Sequence, residues 1–268
     1  METAYKNLKI FLGLSIISIT LSATAEENKK EATAPQSTAK AQSFFQKDRW
    51  AAKYSNYMNG PAFSASEGAS INHVASIKYK FRDTLSAGIA LRADTLLPKD
   101  SEMKQELADP YLTFSYRIAT IGKKTTITGD LWQYLPMSKA SQEKQLLGVI
   151  SPRITLATTR KKIEFANILV PKIFLKRGNS TEARVFSVGN YAALSYAASK
   201  RIGIDLGLYP ELSFESGGKT KFNKLAAYPG FTAKFSDAVS LSPYVEVFLA
   251  EPTAQTTSVG AILSAKIL

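Results

Sequence analysis

The sequence predicts an all-β chain, a transmembrane antiparallel up-and-down β-barrel of about twelve strands. Three observations predict it. Apolar and polar residues alternate with period two over runs of 10–14 residues, where an ordinary globular strand has about 5–6. Short turns and longer polar loops alternate along the chain. Nothing after the N-terminus is apolar for long enough to cross a bilayer as a helix, which takes about 20 residues.

The alternation sorts side chains cleanly. In 202–215, Ile202, Ile204, Leu206, Leu208, Leu212 and Phe214 share one parity against Asp205, Gly207, Tyr209, Glu211 and Ser213. In 110–120, Leu112, Phe114, Tyr116 and Ile118 oppose Tyr111, Thr113, Ser115 and Arg117. A helix, with its 3.6-residue period, would not separate these sets. Turn residues then divide the chain into strands near 49–58, 70–81, 85–97, 110–121, 125–137, 145–158, 163–176, 186–198, 202–215, 225–235, 239–250 and 256–268. A tilted transmembrane strand needs about 9–11 residues, and these runs suffice.

Tight connections fall at Arg82–Thr84, Gly122–Lys124, Thr159–Lys162, Ser199–Arg201 and Ser236–Ala238. The links between them, 59–69, 98–109, 138–144, 177–185, 216–224 and 251–255, are longer and mostly polar. An even-stranded barrel with both termini in the periplasm has this rhythm of short inner turns and long outer loops. Tyr79, Phe81, Tyr116, Tyr196 and Phe235 have outward parity beside the turns, as an interfacial girdle requires. Pro152, Pro171, Pro210, Pro229 and Pro243 fall inside strands. Proline lacks an N–H for the ladder, so each is expected at a bulge or kink, and several broken runs would lower the strand count.

The N-terminus reads as an export signal. Lys6 and Lys9 precede the apolar stretch Ile10–Leu21 and the small-residue site Ala23-Thr24-Ala25. Residues 1–25 are expected to be cleaved, 26–43 to form a polar disordered periplasmic lead-in, and 44–268 to form the barrel. With no cysteine in the chain, neither a disulfide nor a thiolate site can form.

Over everything after residue 44, these features resemble the outer-membrane β-barrel class of Gram-negative bacteria. The resemblance implies outer-membrane location, contact with its lipids and insertion by the barrel-assembly machinery. The final run, SVGAILSAKIL, alternates as such barrels do but ends on Leu268 instead of an aromatic.

Cleavage of the leader would lower the net charge from +12 to +11. Much of that excess belongs to the turns, where Arg82, Lys123, Lys124, Arg160, Lys161, Lys162, Lys200 and Arg201 face only Asp83 and Asp237. Basic residues there suit anionic phospholipid head groups. No basic motif is interleaved with aromatics for base stacking, so nucleic acid is not an expected partner.

The inward parity carries the candidate lumen. Its basic members include Lys78, Arg92, Arg117, Arg153, Lys172 and Lys234, and its acidic members Asp94, Asp130, Glu164, Asp205, Glu211 and Glu246. Opposed charged walls would select solutes by charge in a narrow aqueous pore. The expected function is diffusion of small hydrophilic solutes. The alternative is a non-conducting structural or surface-interaction barrel whose charges pair and plug the lumen.

Catalysis would need His73, the single histidine, which has outward parity near the outer end of the second strand. The outer-membrane phospholipase class places a Ser–His pair on the lipid side of such a barrel. Here Ser76 has the opposite parity, and no serine of that strand lies two residues from His73. A lipid-face hydrolase is therefore a remote alternative, and no enzyme activity is expected. One histidine and scattered carboxylates make no metal motif, and no cofactor is expected.

Overall fold

The computed structural model describes residues 49–62, 68–98, 102–250, 253 and 256–267. The expected leader at 1–25 and lead-in at 26–43 lie outside the described residues. Thirteen strands follow in order: β1 Trp50–Ala62, β2 Ala69–Arg82, β3 Leu85–Leu97, β4 Lys104–Leu107, β5 Tyr111–Ile121, β6 Thr125–Tyr134, β7 Leu146–Arg160, β8 Ile163–Lys176, β9 Arg184–Ala197, β10 Ile202–Glu215, β11 Thr220–Lys234, β12 Val239–Phe248 and β13 Thr257–Lys266. Among the described residues one short helix, α1 Lys139–Glu143, sits in the β6–β7 loop, capped by Ser138.

Each strand pairs antiparallel with its neighbours, and β1 closes the ring by pairing with both β13 and β2. Twelve strands form the closed barrel. The exception, β4, pairs only with the loop-side part of β3, through Ala93↔Leu107 to Leu96↔Lys104. It covers the stretch of β3 that β5, beginning at Tyr111, does not reach.

The registers carry one face continuously around the ring. Asp205 lies opposite Gly230, Gly230 opposite Tyr244, Tyr244 opposite Gly260, and Gly260 opposite Asn59. This face is concave and polar. The other is apolar and open, with Leu91 59% and Ile204 56% exposed. Such a surface is unfavourable against water and favourable against lipid. Phe81, Tyr116, Tyr196 and Phe235 are exposed on the apolar face beside the turns, and Trp50, Tyr79 and Phe81 pack ring to ring at 4.8 and 5.0 Å.

Two expectations need correction. The loop expected over 216–224 shrinks to a tight turn, because Gly217 and Gly218 take φ of 89° and 78° and β11 begins at Thr220. The prolines do not reduce the strand count. Only Pro210 stands beside a register shift, between Glu211 and Leu212. At Pro152 and Pro171 the β7–β8 register is unchanged on either side, and only the rungs between Ile150↔Ile173 and Ile154↔Leu169 are open. Likewise β11–β12 skips the rungs around Pro229 and Pro243 while keeping one register. Neighbouring rungs hold the strand in line, so a missing donor opens a rung without bending the barrel.

Candidate functional site: the inner wall

The register puts all twelve sequence-predicted charges on the concave face, but it brings only some of them together. Lys172 on β8 and Glu211 on β10 reach over β9 to form an ion pair at 3.5 Å. Beneath them Ser187 and Ser213 are completely covered, small enough to leave room for the long side chains. Glu211 also accepts from Tyr209 Oη and, at 3.3 Å, from Asn223 Nδ2. Glu246 pairs with Lys224 and accepts from Tyr228 Oη at 3.0 Å.

Other charges find neutral partners. Asp205 accepts from Ser195 Oγ at 2.6 Å and Thr232 Oγ1 at 2.7 Å. Asp94 accepts from Asn72 Nδ2. Lys78 donates to Ser115 Oγ at 2.9 Å. Arg153 stands directly opposite Asp130 in the register yet turns to Trp132, with its guanidinium carbon 3.6 Å from the ring centroid, and donates to Tyr134 Oη at 2.7 Å. Stacking on indole leaves a guanidinium's charge intact. Among the described residues, Arg92, Arg117, Asp130, Glu164 and Lys234 make no side-chain hydrogen bond or ion pair.

Tyrosine is the component that charge counting overlooked. Tyr57, Tyr191, Tyr228 and Tyr244 line a cavity of about 460 Å³ together with Asp205, Ser195 and Thr232. Tyr111 stacks on Trp132 at 4.4 Å on the facing wall. Across β9–β10 the rings are exchanged: Tyr191 lies over Gly207, and Tyr209 over Gly189. A Cβ on Gly207 would come within 2.7 Å of the Tyr191 hydroxyl, so only glycine admits that ring position. The signal was present in the sequence, since Tyr111, Tyr209 and Tyr244 share parity with the polar set. At the turn side, cavities of about 400 and 190 Å³ continue the concave face; Lys78 and Arg117 line the first, and Glu164, Asp205 and Lys234 the second.

On the apolar face the structure assembles a group that no single strand reveals. His73 Nε2 lies 2.9 Å from Thr95 Oγ1, and its Nδ1 lies 2.8 Å from Asn56 Oδ1 and 2.9 Å from Tyr54 Oη. An amide oxygen only accepts, so Nδ1–H donates to Asn56, and in that tautomer of the neutral ring Nε2 accepts from Thr95. The cluster sits about 20 Å along the barrel axis from Phe81, for a strand rising about 3.3 Å per residue at about 40° tilt. Thr95 is buried, and both neighbours of β3 are paired to it there, through Ile71 and Gln105. Its surrounding backbone N–H groups are thereby committed to ladders.

Between the β6–β7 and β8–β9 loops, Glu182 receives two hydrogen bonds from the Arg184 guanidinium, at 2.7 and 2.8 Å, and pairs with Lys144 at 3.4 Å. The hydrogen bonds from Arg184 hold its carboxyl down at about 2, outweighing desolvation.

No family model matches the chain, and no curated protein does. Solved structures do match. A NanC porin, at 8% identity, aligns over 81% of this chain and 100% of its own with a TM-score of 0.53. An outer-membrane channel from Pseudomonas putida F1, at 10% identity, aligns over 81% of this chain and 94% of its own with a TM-score of 0.50. At these identities the likeness is one of fold: the chain is a closed twelve-stranded antiparallel β-barrel that shares its fold with these outer-membrane channels.

Proposed function

We propose that the protein is a narrow diffusion channel for small hydrophilic solutes, with its short turns in the periplasm and its loops outside. The observation that carries this reading is the contrast of faces: a closed apolar outside around a concave wall of charges, hydroxyls and tyrosine rings. Cavities along that wall leave water-sized space where a plugged barrel would be filled. Pairs such as Lys172–Glu211 narrow the passage and remove net charge from it, which leaves selection to the charges outside ion pairs, Arg92, Arg117 and Lys234 on one side and Asp130, Glu164 and Asp205 on the other. Planar-bilayer recording of the refolded barrel tests the reading. Discrete conductance steps are expected; a correctly folded barrel that never conducts would establish the non-conducting, structural alternative instead.

One observation favours a second reading, a lipid-face hydrolase. The Thr95–His73–Asn56 line has the nucleophile, base and orienting group in hydrogen-bond reach. Against it stand the burial of Thr95 and the pairing of its strand on both sides, which commits the described backbone N–H groups beside it to ladders. Phospholipid hydrolysis in mixed micelles, lost in His73→Ala and kept in Thr95→Ser, would establish it; no hydrolysis by the folded wild type removes it.

A further inference from the structure

We propose that the turn-side mouth of the barrel binds small polyvalent anions, solutes that carry phosphate or several carboxylates. Five cations, Arg49, Lys78, Lys80, Arg82 and Arg117, line the cavity of about 400 Å³ there, against Asp83 as the one carboxylate. Asp83 neutralises Lys80, at 3.3 Å. Lys78, Arg82 and Arg117 form no ion pair among the described residues. Lys78 is held by the neutral Ser115 hydroxyl, and Arg49 Nη1 donates to the Phe81 carbonyl at 2.8 Å. Arg82 and Arg117 have no carboxylate within 4 Å among the described residues.

A second observation points the same way. Lys53 and Lys266 stand directly opposite one another across β1–β13, on the inward parity. Lys53 also faces Ser76 on β2, which makes it the diagonal neighbour of Lys78. Like charges in directly opposed positions, with Cβ atoms about 5 Å apart, destabilise a sheet unless something lies between them. An arc of cations therefore runs from β13 through β1 and β2 to β5, each raising the energy of the next. A multiply charged anion in this arc would offset that repulsion at several points. Arginine and lysine together offer both forked and single donors for phosphate or carboxylate oxygens. The arc lies on the concave face, bordered by Ser86, Ser115 and Thr128, which favours a dissolved anion over a lipid head group.

The site goes beyond the channel reading, and its test does not depend on conduction. The barrel, refolded in uncharged detergent, is titrated in a calorimeter with inorganic phosphate and with citrate at constant ionic strength set by chloride. A saturable heat of binding is expected. Lys78→Gln with Arg117→Gln should weaken its midpoint by about tenfold or more, the effect of one lost charge-assisted hydrogen bond. Should that pair fail to fold, Lys53→Gln with Lys266→Gln serves. It should melt above the wild type in chloride and lose part of the phosphate-induced rise in Tm. No saturable response, or a midpoint unmoved in the variants, overturns the proposal. A repeat in phosphatidylglycerol bilayers assigns the source. Persistence of the phosphate response supports the dissolved anion; its loss there overturns that assignment in favour of head groups. A barrel that binds phosphate without conducting would end the channel reading and leave this site standing.

Discussion

Pro152 on β7 and Pro171 on β8 face each other across one rung of the barrel wall, and the ladder opens there and closes again in the same register. Opposed prolines remove both N–H donors of a rung at once. Pro152→Val with Pro171→Val should restore two hydrogen bonds and raise stability by about 1–2 kcal/mol, read as a higher midpoint in urea unfolding. Amide exchange at Ser151–Arg153 should slow in the same variant. An unmoved midpoint would mean that the open rung carries no energetic deficit.

The exchanged rings of Tyr191 and Tyr209 depend on the glycines beneath them. Gly189→Ala should displace Tyr209 into the lumen and break its hydrogen bond to Glu211. Single-channel conductance is expected to fall by about half or more, since a ring is large against a narrow pore. Gly122→Ala, at a turn position with φ of 59° and open space around it, should lower stability through backbone strain while leaving conductance per folded channel unchanged.

Glu246 holds the Lys224 ammonium beside the tyrosine cavity. Glu246→Gln should release that charge into the lumen and shift the reversal potential toward anions, by about twofold or more in the permeability ratio. The shift should shrink in concentrated salt, as screening requires. A reversal potential identical to the wild type at low salt would place Lys224 outside the ion path.

The His73 cluster tests whether hydrogen bonding or chemistry accounts for polar groups in the lipid-facing band. His73→Ala leaves Asn56 and Thr95 without their partner and should cost about 1–3 kcal/mol. Asn56→Leu, His73→Leu and Thr95→Val together should recover most of that loss, because the Tyr54 hydroxyl is then the one polar side-chain group of the cluster left to lipid. Unfolding in detergent measures both, and a triple variant weaker than the single one refutes the purely structural account.

Glu182 makes the loop tie dependent on acid. Its folded value of about 2 lies below the ordinary 4.5 of a free glutamate. Its contribution is therefore complete above about 4.5 and fades as pH falls toward about 2. Proteolysis or hydrogen exchange over 177–183 should accelerate through that window, and Glu182→Gln should accelerate it already at neutral pH and flatten the pH dependence. A wild-type loop equally protected at both ends of the window would contradict the tie.

Strand positions were legible from residue order because a half-buried strand has a strict two-residue period. β3, β8 and β10 begin and end where the alternation does. Parity likewise assigned a face to each of Lys78, Asp205 and Glu246. The β10–β11 turn misleads because the flank from Thr220 to Lys224 is polar at every position but Phe222 and so reads as loop. Those residues form a ladder once two adjacent glycines allow the chain to reverse.

The residue order by itself determined the barrel, its two faces and the rhythm of turns and loops, since these follow from local alternation and backbone preference. Tertiary structure alone decided which charges meet. Arg153 leaves the opposed Asp130 for Trp132, Lys172 crosses β9 to Glu211, and His73 joins residues of three different strands. Such pairings depend on side-chain length and on the curvature that brings non-neighbouring strands within reach. The open rung at Pro152 and Pro171 belongs to both levels: each proline announces a missing donor, but only the register shows that the two gaps coincide.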